Sequence, residues 1–268
     1  MTHLYLTHNN SSISYYRFGA GRRVVVAIHG YSNDAQLFGL LEEELKNNFT
    51  FISIDLPLHG ATHWDKELLT PKKFQTIIEQ ILCRENLPKT YWLLGFSLGG
   101  RIALSLYQYA PNNVKRLILL APDGLYTSWW NKFWVQTYIG NRTIAYFLKR
   151  PRISAKLLDW FKRRRLINYK IYGFAQGLLN SKREGDLLHK RWKLMYKMQP
   201  HLNKICGNIL YYQTPVSLVF GKADNITPSD DAQYFAECAK PYVEYAKWDA
   251  GHLLLKPKYL QQLISLFK

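Results

Sequence analysis

Along most of the chain, short and mostly apolar runs alternate with longer stretches in which apolar residues recur every three or four positions. The runs are Val24-Val25-Val26-Ala27-Ile28, Phe51-Ile52-Ser53-Ile54, Tyr91-Trp92-Leu93-Leu94, Val114–Leu120, Thr214–Phe220 and Val243–Trp248. Helical spacing covers residues 34–47, Pro71 to Arg84, Leu98–Ala110, Ser229–Cys238 and Pro257–Phe267. Strands apolar on both faces, alternating with helices, predict a mostly parallel sheet covered by helices on both sides, an α/β architecture. His3–His8 and Ser12–Phe18 alternate instead and predict an antiparallel hairpin that leads into the sheet.

The alternation breaks after Ala121-Pro122-Asp123-Gly124 and resumes near Gly207. Residues 1–124 and 207–268 are therefore expected to form one core, with 125–206 inserted in it as a helical, aromatic and basic cap. Length allows this, because 268 residues suffice for one α/β domain and an insertion. Hydrophobic content of 47% is enough for a large core and excludes a disordered chain. The net charge of +17 sits almost entirely in the insertion, where residues 125–205 carry 18 Lys or Arg against three Asp or Glu. The first ten residues have neither a basic start nor a long apolar run, and no apolar stretch reaches bilayer length, so a cytoplasmic protein is expected. Cys83, Cys206 and Cys238 are few, odd in number and widely spaced, and are expected to be plain thiols.

Gly95-Phe96-Ser97-Leu98-Gly99-Gly100 lies between an apolar run and a helical stretch. A strand-to-helix turn of that form holds a serine hydroxyl above the sheet at a helix amino terminus, where backbone N–H groups can stabilise an oxyanion. It needs small residues two positions either side of the serine, since side chains there would strike the neighbouring backbone. A serine becomes a nucleophile only when an imidazole takes its proton and a carboxylate fixes that imidazole's tautomer. Asp224 follows the run ending at Phe220, and His252 follows the run ending at Trp248, both where open parallel sheets place their sites. Asp123 is the rival acid, because it also follows a strand. His3, His8, His63, His189 and His201 are expected at the surface, and His29 and His59 as hydrogen-bonding supports around the site; Asp55 and Asp249 are expected to cap loops.

With His29-Gly30-Tyr31, Asp55-Leu56-Pro57-Leu58-His59-Gly60, the elbow, Gly221-Lys222-Ala223-Asp224-Asn225-Ile226-Thr227-Pro228 and Gly251-His252 in that order, the chain resembles the α/β-hydrolase-fold superfamily over nearly its whole length, the cap excepted. The resemblance implies Ser97 as nucleophile, His252 as base, Asp224 as acid, and the N–H groups of Tyr31 and Leu98 as oxyanion hole. It implies cleavage of a carboxylic ester, thioester or lactone through an acyl-enzyme, with no cofactor and no metal. A serine at the elbow excludes the relatives that attack with an aspartate. Gly-Phe-Ser-Leu-Gly-Gly-Arg also resembles the elbow of MenH-type lyases, in which the same triad acts as a base and arginines hold an anionic substrate. Arg101 would then hold a substrate carboxylate, its alternative being a cation on the helix surface; His29, Phe96, Trp130 and Trp134 are further candidate substrate contacts, whichever reaction applies. A non-catalytic binding protein on the same fold is the third alternative. The aromatic, basic cap fits a lid over an acyl substrate, a surface for anionic membrane, or plain solvated helices; nucleic acid ranks last because no binding motif accompanies the charge.

Overall fold

A computed structural model describes residues 1–125, 146, 150–164, 172–173, 176, 182–227 and 230–268. The chain divides into two compact units, Met1–Thr127 with Met198–Lys268, and Ser128–Lys197.

The first unit is built on eight strands: β1 (Thr2–His8), β2 (Ser11–Phe18), β3 (Arg23–Ile28), β4 (Phe49–Ile54), β5 (Tyr91–Phe96), β6 (Val114–Leu120), β7 (Val216–Gly221) and β8 (Val243–Trp248). They form a single sheet in the order β1-β2-β4-β3-β5-β6-β7-β8. β1 pairs antiparallel with β2 and β2 with β4, whereas all other pairs are parallel. The two kinds of apolar pattern account for this division. β1 is largely exposed, whereas Val25, Val26, Ala27 and Ile28 in β3 and Leu117, Ile118 and Leu119 in β6 are fully buried, as strands covered on both faces must be. β3 is followed in sequence by its neighbour on one side, β4, and then by its neighbour on the other, β5. The direction in which strands are added thus reverses about β3, a topological switch point of the kind beside which open parallel sheets place their sites.

The helices of this unit are α1 (Glu42–Leu45), α2 (Pro71–Arg84) and α3 (Leu98–Tyr109) before the second unit, and three more after it. α2 begins where Thr70 accepts a hydrogen bond from the Lys73 N–H and Pro71 supplies a preset φ. Phe74, Ile77, Ile78, Ile81 and Leu82 make its buried face, each worth roughly 1.5–3 kcal/mol of apolar transfer. α3 is buried on nearly every side from Leu98 to Tyr107.

The second unit contains α4 (Pro151–Arg163) and α5 (Lys182–Met195). Within it the Tyr172 hydroxyl donates to Asp159 at 2.8 Å, and Lys162 Nζ stands 4.0 Å from the Tyr172 ring centroid. The chain then returns to the first unit as α6 (Leu202–Tyr212), α7 (Asp230–Cys238) and α8 (Leu260–Ser265).

Two expectations need correction. Residues 34–47 are not one α-helix but a 3-10 helix, Ala35–Leu41, opened by Asp34 accepting from the Gln36 N–H, followed by the single turn α1. The Asp55 carboxylate takes the Ala35 N–H at 2.7 Å, which fixes the entry of the segment to the end of β4. Cys206 and Cys238 are not free thiols: α6 and α7 pack together and join the two in a disulfide across a Cα separation of 6.1 Å. Their 32-residue spacing carries no information about that proximity, because it arises only when the helices flank β7. Cys83 is free and exposed. Among the described residues no helix is long and apolar enough to cross a membrane.

Candidate active site

Ser97, Asp224 and His252 each follow the carboxyl end of a strand. β5 ends at Phe96, and Ser97 follows with φ 53° and ψ −117° before α3 begins at Leu98. A serine with positive φ carries backbone strain, and three hydrogen bonds on one oxygen hold it there: the Ser97 carbonyl accepts from the N–H groups of Gly100 at 2.8 Å, Arg101 at 3.3 Å and Asp123 at 2.9 Å. The Ser97 N–H donates to Leu120 O at 3.0 Å, tying the elbow to β6. Close approach explains the glycines. A Cβ at Gly95 would lie 2.6 Å from Gly99 O, and one at Gly99 would lie 2.0 Å from Ile28 O, so neither position admits a side chain.

His252 and Asp224 come from the loops after β8 and β7. Those loops are bonded to each other, Lys222 N–H to Trp248 O at 2.8 Å and Ala223 N–H to Ala250 O at 2.9 Å. His252 Nε2 lies 2.9 Å from Ser97 Oγ, and His252 Nδ1 lies 2.8 Å from Asp224 Oδ2. The Asp224 carboxylate is buried, and it accepts also from the Ile226 N–H at 2.8 Å, the Thr227 N–H at 3.1 Å and the Thr227 hydroxyl at 2.8 Å. Burial pushes its pKa upward, but the hydrogen bond from His252, the Ile226 N–H, the His252 charge and the Thr227 hydroxyl outweigh it and hold the carboxyl below its ordinary value. Asp224 is thus kept ionised behind the imidazole. Thr227 has no assigned role in the sequence reading, although the Asp-x-x-Thr spacing of a carboxylate that accepts from the two N–H groups following it could have drawn attention to it.

The loop after β3 stands beside this array. A Cβ on Gly30 would come 3.1 Å from the Phe96 ring, and the Phe96 and His252 ring centroids are 5.3 Å apart. His59 Nε2 is 2.8 Å from Tyr31 O and its Nδ1 2.9 Å from Pro57 O, so His59 braces the Tyr31 loop. Leu98, as the first residue of α3, has no helical acceptor for its N–H.

The remaining candidates are placed differently. His29 is fully buried; its Nε2 accepts the Leu56 N–H at 3.1 Å, which leaves Nδ1 to donate to Gly30 O at 2.7 Å. The expectation that His29 touches substrate therefore gives way to its supporting role, since both ring nitrogens are engaged with backbone. Phe96 is buried against His252. Arg101 is not a surface cation: its side chain is 5% exposed and its guanidinium lies 3.3 Å from Asp123. Asp123, the rival acid, is thereby engaged with Arg101, while Asp224 is the carboxylate that faces His252. Trp130 and Trp134 lie outside the described residues. Asp55 caps loops as expected, accepting from Ala35, Ala61 and the Ser14 hydroxyl. Among the described residues no three His, Cys, Asp or Glu side chains converge as a metal would require.

Residues 23–258 match the alpha/beta hydrolase fold family. The chain belongs to this family. It is 23% identical over 259 residues to the human monoacylglycerol lipase ABHD6, covering 91% of this chain and 74% of the lipase. It is 29% identical over 118 residues to the pimeloyl-[acyl-carrier protein] methyl ester esterase of Edwardsiella ictaluri, a match spanning 44% of this chain and only 43% of the esterase. A thermophilic esterase from Thermogutta terrifontis superposes with a TM-score of 0.69 at 19% identity, covering all of this chain and 98% of the other. That superposition speaks for the fold alone, an α/β-hydrolase fold with an eight-stranded, mostly parallel sheet and antiparallel amino-terminal strands.

Proposed function

We propose that the chain is a serine hydrolase that cleaves carboxylic esters, thioesters or lactones through an acyl-enzyme, with Ser97 as nucleophile, His252 as base and Asp224 as the acid that orients His252. The observation that carries this reading is the continuous chain Ser97 Oγ, His252 Nε2, His252 Nδ1, Asp224 Oδ2, with links of 2.9 and 2.8 Å. With Asp224 ionised, Nδ1 bears the ring proton and Nε2 presents its lone pair to the serine hydroxyl. His252 takes that proton as Oγ bonds to the substrate carbonyl carbon, and the carbonyl π electrons move onto oxygen. The Tyr31 and Leu98 N–H groups receive the oxyanion. Collapse of the tetrahedral species expels the alcohol or thiol, which takes the proton from His252; water then repeats the sequence on the acyl-enzyme and frees the acid. A buried Asp224 also stabilises the imidazolium that forms midway.

The names borne by the relatives, a monoacylglycerol lipase and a methyl ester esterase, support ester cleavage as the reaction class. Arg101 is engaged by Asp123, which supports hydrolysis over the lyase alternative that would need its charge for substrate. Labelling with a fluorophosphonate probe and turnover of an ester and thioester chain-length panel test the proposal. Both should vanish in Ser97→Ala with melting behaviour retained. Labelling or turnover that survives Ser97→Ala would refute it.

A further inference from the structure

α4 carries an apolar face that the fold leaves in solvent. Ile153, Leu157 and Trp160 are 59%, 37% and 47% exposed, and their spacing of four and then three residues places them on one side of the helix. The other flank is the covered one, with Ser154 buried and Leu158 and Phe161 half-buried. A helix serving only its own unit would show water a polar face here.

Cations border the exposed side. Lys156 and Arg163 are exposed along one edge. Arg164 ends the stripe, one turn beyond Trp160, its guanidinium 5.7 Å from the indole centroid. Arg150, preceding the helix, stacks 4.1 Å over Tyr146. These cations belong to the segment that holds most of the chain's charge excess, with 18 Lys or Arg against three Asp or Glu over residues 125–205. Large apolar side chains flanked by Lys and Arg, with a tryptophan among them, are what a helix lying in the plane of a bilayer interface requires.

We propose that α4 is a docking surface for an anionic phospholipid bilayer. Ile153, Leu157 and Trp160 enter the boundary between headgroups and acyl chains, while Lys156, Arg163 and Arg164 meet lipid phosphates. Lipid is the occupant that answers both features at once. A nucleic acid would neutralise the cations but leave Ile153 and Leu157 in water. The inference is independent of the chemistry assigned to Ser97.

The test is cosedimentation of the full chain with phosphatidylcholine vesicles, pure or containing about one third phosphatidylglycerol, at low and high salt. Binding should require the anionic lipid and be reversed by salt. Lys156→Gln/Arg163→Gln/Arg164→Gln should weaken it roughly hundredfold, the product of three juxtaposed cations. Ile153→Ser/Leu157→Ser/Trp160→Ser should weaken it at least as much and abolish any vesicle-induced blue shift of tryptophan emission. Both variants should melt like the parent and turn over a water-soluble short-chain ester at the parent rate, which separates loss of docking from loss of the site. A parent inactive on esters that still binds vesicles would leave this inference standing. Absence of binding to anionic vesicles, parental binding by the apolar triple variant, or tighter binding to a DNA oligonucleotide than to vesicles at equal salt would overturn it.

Discussion

Replacing Asp224 by asparagine preserves the side chain's shape and removes its charge, and the hydrogen bonds around it dictate how the amide must sit. Oδ1 accepts the N–H groups of Ile226 and Thr227, whereas Oδ2 faces the Thr227 hydroxyl and His252 Nδ1. The amide oxygen must keep the Oδ1 position, because an NH2 group there would confront two backbone donors and leave each unsatisfied at about 1–3 kcal/mol. The NH2 group then points at His252 Nδ1 as a donor, and Nδ1 has to accept. The ring proton moves to Nε2, against Ser97 Oγ at 2.9 Å, where the imidazole can no longer take the serine proton. Wrong-tautomer substitutions of this kind cost about 10⁴ in a serine protease. For Asp224→Asn the expected fall in kcat is therefore roughly 10³–10⁴, or about 4–5.5 kcal/mol of barrier, with KM little changed. Steady-state hydrolysis of a p-nitrophenyl ester and the rate of fluorophosphonate labelling measure it, with thermal unfolding as the control for folding. Retention of more than about a tenth of parental kcat would refute the tautomer argument.

Three further outcomes follow from the same geometry. Asp123→Asn should leave kcat within about tenfold of the parent but strip the buried Arg101 of its partner, costing about 3 kcal/mol and roughly 6 °C of melting temperature; a crippled enzyme with unchanged melting would place the acid on β6 instead. Ser97→Gly should abolish turnover yet raise the melting temperature by about 2 °C relative to Ser97→Ala, because glycine relieves a φ of 53°. The depressed pKa of Asp224 means that its contribution to stability is full above the ordinary carboxylate value of about 4 and is lost as pH falls through the lower folded value. Urea titrations on either side of that range should therefore show a smaller acid-induced loss in Asp224→Asn than in the parent, and an equal loss would contradict the sign.

The strands were legible because burial on both faces leaves a run that is mostly apolar. Val24–Ile28 and Val114–Leu120 lie in strands that match those runs to within one residue. The elbow was legible for a steric reason, since Gly95 and Gly99 have no room for a Cβ and only a few residue pairs satisfy that at the required spacing. Asp224 and His252 were picked out by their positions just past strand ends, and backbone hydrogen bonds between the β7 and β8 loops hold those two positions side by side. Residues 34–47 misled because apolar spacing registers a buried face but not the pitch of the backbone that presents it.

What escaped the sequence depends on contacts between distant parts of the chain. Arg101 reads as a surface cation on the first turn of a helix, yet it is buried where a Cβ on Gly124 would lie 2.9 Å from its Cγ and 3.0 Å from Pro200, so residues 101, 124 and 200 must converge before its environment exists. The Cys206–Cys238 bond likewise requires α6 and α7 to pack side by side. Asp224 and Asp123 show the consequence for function. Each follows a strand end, and strand position alone cannot separate them. The separation comes from their partners: four donors, His252 among them, converge on Asp224, whereas Arg101 engages Asp123. A carboxylate already facing a guanidinium is not placed to face an imidazole as well. The two strand-end carboxylates are thus told apart by what they face, Arg101 for Asp123 and His252 for Asp224.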